Sequence, residues 1–350
     1  MVSAEPRIGL RLATRRGNGH DRPMSNVQIG MTPPWDLWRR SIPERREAAT
    51  RMADAGIDHF FLADHVSFHD GSGTDALLAM AGLAQLEERL SVMAGVYLLA
   101  LRHPVVVARQ LATLSELAEG RIVFGVGVGG EDRHEIEVCG VDPATRGRRT
   151  DECLEILRPL LRGETVTHHG EFVSVDDAVI RPTPPVDIPF VVGGRSNAAL
   201  RRAGRYAEGW LGTWCSTRRF AEATEIVAAT AAEAGREPAW THGLQVWVGV
   251  GKTKEAGAAN ARRRMEAFYK IPFEAFEKYV PVGTPEDIAA DLAGYRDVGS
   301  TIFNITPCGD SAEDDLEAVS AVAELLRAEP ASSLEPPLSD SSRGGTRTTR

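Results

Sequence analysis

The residues best suited to chemistry follow short apolar runs. The stretch VVGGRSNAAL joins an apolar run to an amphipathic segment through four residues: Gly193, Gly194, Arg195 and Ser196. Backbone N–H groups at the start of a helix carry partial positive charge and bind phosphate or another anion. Two glycines and an arginine are more than a helix cap needs, so the stretch predicts an anion site. The alternative is a flexible crossover in which Ser196 is an ordinary cap.

A second polar pair ends the apolar run HFFLADH. Imidazole can accept or release a proton near neutral pH, so His65 is a candidate acid–base catalyst. The alternative is a hydrogen-bonded structural histidine. Successive residues of a strand point to opposite faces, so Asp64 need not be the partner of His65.

A third stretch, RIVFGVGVGGE, is rich in glycine. Its residues Gly125, Gly127 and Gly130 fit the dinucleotide-binding pattern G-x-G-x-x-G, and Asp151 follows about twenty residues later. Whether these glycines serve a nicotinamide cofactor depends on the elements around them.

Those elements alternate between apolar runs and amphipathic segments from Val27 onward. The runs VQIGMT, HFFLADH, SVMAGVYLLAL, RIVFGVGVG, IPFVVGG, GWLGTW, LQVWVGV and STIFNITP are each followed by a helical pattern. Strands that are apolar on both faces and separated by helices require a parallel sheet covered by helices. Eight such units predict a (β/α)₈ barrel. Residues 164–189 interrupt the alternation and predict a small hairpin inserted between the fourth helix and the fifth strand.

This arrangement argues against the nicotinamide hypothesis. A dinucleotide fingerprint belongs to the first strand of a βαβ unit, whereas these glycines lie in the fourth strand. Small residues there instead let bulky groups, from the barrel or from a ligand, pack against the strand. The active site of such a barrel lies at the carboxyl ends of its strands, where the polar residues above are found.

Composition and charge restrict the class of protein. The 350 residues carry a net charge of −9, which argues against a nucleic-acid surface. No apolar run is long enough for a membrane span, and four scattered cysteines predict neither a metal site nor a disulfide framework. A cytoplasmic enzyme is expected. Residues 1–25 and 330–350 are expected to be disordered, flanking one barrel domain at 26–329, with an extra strand at RIGLRLAT as the alternative.

Three segments together resemble the luciferase-like monooxygenase superfamily. They are ADHVSF after the second strand, LRHPVVVARQLATLSELAEGRIVFGVGVGGE across the third and fourth strands, and VVGGRSNAALRRAGRYAEGWLGTW across the fifth and sixth. The resemblance runs from about Val27 to Arg327. The stretch GRSNAALRRAGRYAEGW is most similar to members that use coenzyme F420, a deazaflavin, although the superfamily also contains FMN enzymes.

The resemblance implies roles for particular positions. It places Asp64 and His65 at the deazaflavin, with His65 as the acid–base group, and it implies a cis peptide between Gly95 and Val96 that backs the ring. The remaining residues implied to contact the cofactor are Gly127, Gly129 and Gly130 along the ring and Gly193, Gly194, Arg195 and Ser196 at the phosphate.

Two departures bear on the substrate. The sugar-phosphate dehydrogenases of the superfamily carry a catalytic Glu near the fourth strand, and Glu131 aligns with it only if an extra Gly is allowed. They also carry a Trp after the second-strand His, where this chain has VSFHDG. Both departures argue against glucose 6-phosphate as substrate.

The resemblance therefore implies an F420-dependent oxidoreductase that moves a hydride to or from a small organic substrate, with a homodimer as the expected assembly. The alternatives are an FMN-dependent monooxygenase or reductase, and a cofactor-binding protein without turnover.

Overall fold

The computed structural model describes residues 27–130 and 132–328. The expectations for residues 1–25 and 330–350 lie outside the described residues, and so does Glu131. Within the described part of the chain, no helix combines the length and apolar character that crossing a bilayer requires.

Thirteen strands and ten helices form the described structure. The strands are β1 (Gln28–Met31), β2 (His59–Leu62), β3 (His65–Phe68), β4 (Ser72–Thr74), β5 (Ser91–Leu98), β6 (Ile122–Gly127), β7 (Val166–His169), β8 (Ser174–Ala178), β9 (Phe190–Gly193), β10 (Gly209–Gly212), β11 (Gly243–Val250), β12 (Val282–Gly283) and β13 (Ile302–Cys308). The helices are α1 (Ile42–Asp54), α2 (Ala76–Ala84), α3 (Pro104–Leu117), α4 (Arg133–Val138), α5 (Arg146–Leu161), α6 (Asn197–Tyr206), α7 (Thr217–Glu233), α8 (Lys254–Tyr269), α9 (Pro285–Asp297) and α10 (Ala312–Arg327).

Eight parallel strands close into a barrel, which confirms the predicted fold. Their order is β1, β2, β5, β6, β9, β10, β11 and β13, and β13 returns to β1. The register pairs Gln28 with Ile302 at that closure and Gly30 with His59 across β1 and β2. Because all eight strands run in one direction, their carboxyl ends meet at one mouth, where barrel enzymes place their sites.

The apolar strands contribute to three cores, of which the one by α8 includes Trp247 and Cys308. Between the strands and the outer helices lies the largest core, which includes Ile29, Phe124 and Phe190, each at most 1% exposed. A smaller cluster fills the barrel itself and consists of Phe61, Met93, Val123, Val191 and Leu211. Burial on both faces explains why these strands have nearly continuous apolar sequences.

Two helix ends show how local sequence sets the boundaries. Ser41 begins α1 with a capping box, because its backbone N–H donates to Glu44 at 2.7 Å, and Pro43 lies in the first turn. After the same helix Gly56 adopts φ +82, a left-handed conformation that glycine accommodates without strain. Pro43 and Gly56 are residue types that favour the start and the end of a helix, respectively.

Insertions modify the barrel at three places. Between α5 and β9, within residues 164–189, β7 and β8 form an antiparallel hairpin. Another hairpin, β3 with β4, follows β2 and was not predicted. The third insertion lies in the seventh unit, between β11 and β13. Helix α8, which follows the seventh barrel strand, packs on β11, β12 and β13, whereas α9 lies between α7 and α10 as the outer helix.

Candidate functional site

His65 lies just beyond the carboxyl end of β2, as the first residue of β3. Its Nδ1 is 3.1 Å from Oε2 of Glu135, and 18% of its side chain is exposed. The ring packs against Phe68, with 4.1 Å between the ring centroids. Because Glu135 occupies Nδ1, the nitrogen left for a bound molecule is Nε2.

Glu135 is the residue that fixes this histidine. Its carboxylate also accepts hydrogen bonds from the backbone N–H groups of Val66 at 2.7 Å and Ser67 at 3.3 Å. Burial alone would raise its pKa, but the hydrogen bond and charge of His65, with the two amides, lower it below the ordinary value. Glu135 is therefore an anion that orients the imidazole, in the way a carboxylate supports a catalytic histidine.

Sequence reasoning missed Glu135. The acidic residue that the sequence indicated near the fourth strand was Glu131, which lies outside the described residues. In the structure the segment after that strand contains α4, whose start is capped by Asp132 through the N–H of His134 at 2.9 Å. The local signal was an acidic residue in a short capped helix directly after a strand. Its pairing with a histidine 70 residues earlier in the chain could not be read locally.

Asp64 lies behind His65 and is only 1% exposed. Its carboxylate accepts from the N–H groups of Leu98 at 3.0 Å and Ala76 at 3.1 Å, and it pairs with both terminal nitrogens of Arg102. Burial raises the pKa of Asp64, although the charge of Arg102 and the amides oppose that rise. Asp64 thus ties β5 and α2 to the end of β2. With both carboxylate oxygens engaged inside the protein, it acts as a support for the site.

The peptide bond between Gly95 and Val96 is cis, as the resemblance implies. Val96 is partly exposed inside the barrel mouth. A Cβ on Gly127 would overlap Cγ2 of Val96, and one on Gly193 would lie 2.9 Å from its Cγ1. A Cβ on Gly125 would overlap the carbonyl oxygen of Ala94. These glycines therefore make room for the barrel's own neighbouring strand, which is one of the two explanations that the sequence left open.

Two further glycines continue past the end of β6. Gly129 has φ +69, and a Cβ there would lie 3.1 Å from Cδ1 of Ile136 on α4. Gly130 faces Arg146, whose terminal nitrogen would lie 3.7 Å from a Cβ at that position. Gly129 thus lets the chain turn directly into the helix that carries Glu135.

The loop after β9 has the features of an anion cradle. Gly194 adopts φ +125, and a Cβ there would lie 2.8 Å from that of Ala199. Ser196 caps the ten-residue helix α6 by accepting from the N–H of Ala199 at 3.2 Å. Arg195 is exposed. Backbone donors, the positive end of a helix and a free cation therefore converge there.

No group of three or more His, Cys, Asp or Glu residues within 27–130 and 132–328 is arranged to hold a metal ion. The polar groups that line the mouth are a histidine–carboxylate pair and an anion loop. This arrangement is suited to proton transfer beside a bound, negatively charged molecule.

Comparison with known proteins gives relatives of several activities. The chain is 37% identical to an F420-dependent glucose-6-phosphate dehydrogenase of Microbacterium testaceum over 166 residues, 46% of this chain and 49% of the relative. It is 29% identical to limonene 1,2-monooxygenase of Rhodococcus erythropolis over 201 residues, 56% of this chain and 52% of the relative. The match thus spans about half the length of these curated relatives.

Solved structures share the fold at lower identity. An F420-dependent secondary alcohol dehydrogenase in complex with an F420-acetone adduct aligns with a TM-score of 0.75 at 19% identity, covering 86% of this chain and 99% of that one. The coenzyme F420-dependent tetrahydromethanopterin reductase of Methanopyrus kandleri aligns with a TM-score of 0.67 at 19% identity, covering 85% and 98%.

The family follows from a match that covers seven of the eight barrel strands. The model of the luciferase-like monooxygenase family matches residues 20–278, which is most of the chain. This range contains the histidine–glutamate pair, the cis peptide and the anion loop described above. The chain belongs to the luciferase-like monooxygenase family.

Proposed function

We propose that this protein is an F420-dependent oxidoreductase that transfers a hydride between the deazaflavin coenzyme and a small organic substrate. Curated relatives that match about half their length include F420-dependent glucose-6-phosphate dehydrogenases of several organisms. Fold-level neighbours include F420-dependent enzymes as well as an FMN-containing oxygenase. The cofactor therefore has two candidates, and the F420-dependent curated relatives favour F420.

The observation that carries the proposal is the pair formed by His65 and Glu135. The pair stands at the carboxyl end of β2, and Nδ1 of the histidine is held by a carboxylate at 3.1 Å. That contact directs Nε2 away from Glu135, toward a molecule in the mouth. A histidine held in this way can give or take one proton at a defined position.

The described residues fit a flat ring with an anionic tail. Val96 offers an apolar surface in the barrel mouth, framed by Gly127 and Gly193, whose missing side chains leave its methyl groups in place. The loop from Gly194 to Ser196 would receive the phosphate, with Arg195 supplying charge. When bound, F420 supplies the position that accepts or donates the hydride.

The protein residues then have separate tasks. His65 would hold or release the substrate proton at Nε2, and Glu135 would keep the ring oriented and stabilise its charged form. Asp64 and Arg102 would hold the ends of β2 and β5 together behind it. The substrate would thus exchange its hydride with the coenzyme and its proton with His65.

Titration of the purified protein with F420 and with FMN, followed by fluorescence, tests the proposal. We expect F420 to bind and FMN to bind much more weakly. Tight FMN binding without F420 binding would favour the FMN-dependent alternative. Binding of neither would end the proposal. The homodimer implied by the family stays a prediction that sedimentation can check.

A further inference from the structure

The mouth of the barrel beside His65 is walled by aromatic side chains. We call this cluster the aromatic wall and define it by Trp35, Phe68, Trp247, Phe268 and Tyr269. Phe268 contacts all four of the others, with ring centroids 6.0 Å from Trp35, 5.3 Å from Phe68 and 5.6 Å from Trp247. Tyr269 lies 4.9 Å from Phe268 by the same measure. The wall reaches the candidate proton-transfer group directly, because Phe68 packs on His65 at 4.1 Å.

Four different elements contribute to the wall. Trp35 follows the carboxyl end of β1, Phe68 belongs to β3, and Trp247 lies on β11. Phe268 and Tyr269 end α8, the helix that packs on β11, β12 and β13 instead of joining the outer ring. Residues brought together from four elements around one opening indicate a surface built for a ligand.

Helix α8 is held over β11 by a close backbone crossing. A Cβ on Gly257 of α8 would overlap the carbonyl oxygen of Gly249, and it would lie 2.7 Å from the amide nitrogen of Gly283. Any larger residue at position 257 would push the helix away from the strands. The crossing therefore sets where Phe268 and Tyr269 stand relative to His65.

The wall presents apolar surface to the mouth. Trp35 is 59% exposed, a large fraction for an indole at the opening of a cleft. Phe268 and Tyr269 are partly exposed, whereas Phe68 and Trp247 are buried and support them. The indole N–H of Trp247 donates to the hydroxyl oxygen of Tyr269 at 3.0 Å, so the indole donor is satisfied within the wall.

Charge around the wall disfavours an anionic ligand near His65. Glu135 stands behind His65, and Asp132 accepts from the N–H of His69 at 2.7 Å in the same hairpin. At the hairpin tip the carboxylate of Asp70 accepts from the hydroxyl of Ser72 at 2.6 Å. Glu135 and Asp132 would therefore repel a phosphate or carboxylate group brought close to His65.

Resting on the proposed function, we propose that the substrate is an uncharged, apolar alcohol or ketone. Its hydrocarbon part would lie against the aromatic wall, and its single oxygen would face Nε2 of His65. Burying a small hydrocarbon ring against such side chains is favourable because it removes apolar surface from water. The proposal excludes sugar phosphates from this position.

Ligand-observed NMR titrations with two matched probes test the proposal. Cyclohexanol carries an uncharged ring with one oxygen, and cyclohexanecarboxylate carries the same ring with a negative charge. Both are titrated into the cofactor-free protein and into the F420-loaded protein. We expect cyclohexanol to bind in both, and cyclohexanecarboxylate to bind about tenfold more weakly, as one unfavourable charge contact would produce.

Variants test whether cyclohexanol binds at the aromatic wall. Phe268→Ala should weaken cyclohexanol about tenfold, because it removes a partly buried ring from the contact. Trp35→Ala, at an exposed position where folding should be unaffected, should also weaken it. The matched control is Phe172→Ala, a partly exposed ring in the hairpin insertion, which should leave affinity unchanged.

The outcomes separate this inference from the proposed function. Unchanged cyclohexanol affinity in Phe268→Ala and Trp35→Ala would overturn the inference, and so would turnover of glucose 6-phosphate by the F420-loaded protein; neither result touches F420 binding. If cyclohexanol binding depends on the wall but F420 does not bind, the inference stands and the proposed function fails.

Discussion

Two histidines of one chain segment, His59 and His65, occupy opposite regions of the barrel. His59 begins β2 and is 2% exposed, with Nε2 at 2.7 Å from Oδ1 of Asn304. His65 follows the same strand at the mouth, where its partner is the carboxylate of Glu135. The first has a neutral partner inside the barrel, and the second has a charged partner beside an opening.

The difference shows how surroundings assign a task to one residue type. Burial lowers the pKa of His59, so it stays neutral and serves as a hydrogen-bonding part of the barrel interior. His242, just before β11, is similar: burial lowers its pKa to about 4, and it accepts from the N–H of Trp210 at 3.2 Å. His65, with an anion on one nitrogen and an opening on the other side, is placed to exchange a proton.

The largest expected effect separates these two regions. His65→Ala should lower turnover by about 10²–10⁴-fold, the usual range for one acid–base group. The melting temperature should change little. F420 affinity should also change little, since the proposed anion loop from Gly193 to Ser196 would hold the cofactor phosphate. The matched variant His59→Ala should lower the melting temperature and leave turnover per folded molecule unchanged. Leaving the buried Oδ1 of Asn304 without its partner costs about 1–3 kcal/mol of stability. Single-turnover rates and melting curves on both variants make the measurement; unchanged hydride transfer in folded His65→Ala would rule out its catalytic role.

Acid should lower the stability of the folded protein through its buried histidines. A buried histidine with a lowered pKa binds its proton less readily when folded than when unfolded. Stability is therefore full above the unfolded pKa of about 6.5, and it is lost as the pH falls toward the folded value. For His242, whose folded pKa is about 4, the loss approaches ~3 kcal/mol. Denaturant unfolding between these pH values measures it.

His242→Asn is the control for that pH dependence, because its amide oxygen can still accept from Trp210 without titrating. The variant should show a shallower fall in stability with acid than the parent protein. Equal slopes in the two proteins would contradict the assignment of the loss to this residue.

A smaller effect is expected at the partner of His65. Glu135→Ala frees the imidazole and leaves the amides of Val66 and Ser67 without their acceptor, so kcat should fall up to about 10²-fold through misplacement of the ring. Glu135→Gln retains an acceptor oxygen and should recover part of the loss. A purely structural role would lower the melting temperature without this recovery in kcat. KM should remain nearly constant in both variants, because neither touches the substrate.

The smallest expected effect is on F420 affinity, and it comes from the anion loop between Gly193 and Ser196. Arg195→Ala should weaken F420 binding about tenfold, the contribution of one charge-assisted contact at an exposed position. Folding should be unaffected because the side chain is exposed. Arg205→Ala, near the other end of α6, is the matched control. Fluorescence titration at two salt concentrations checks both, and equal affinities for Arg195→Ala and Arg205→Ala would contradict the anion site.

Some features could be read from residues because they depend on local periodicity. Continuous apolar strands separated by amphipathic helices can be satisfied only by a parallel sheet covered on both faces, and eight repeats suffice to close it. Helix ends such as Pro43 and Gly56 reflect backbone preferences that do not require a partner. His65 and the loop from Gly193 to Ser196 were likewise placed by their position at strand ends.

Other features depended on contacts between distant segments. Glu135 could not be matched to His65, nor could Val96 be recognised as the group that Gly127 and Gly193 accommodate. Asp64, expected at the cofactor, turned out to be sealed by Arg102, and α8 left the outer ring to cover the mouth. Composition and spacing describe each segment's own preference, whereas burial, charge pairing and close backbone crossings exist only after β-strand closure brings segments together. Local pattern therefore decided the architecture, and packing between elements decided which polar groups face the mouth of the barrel.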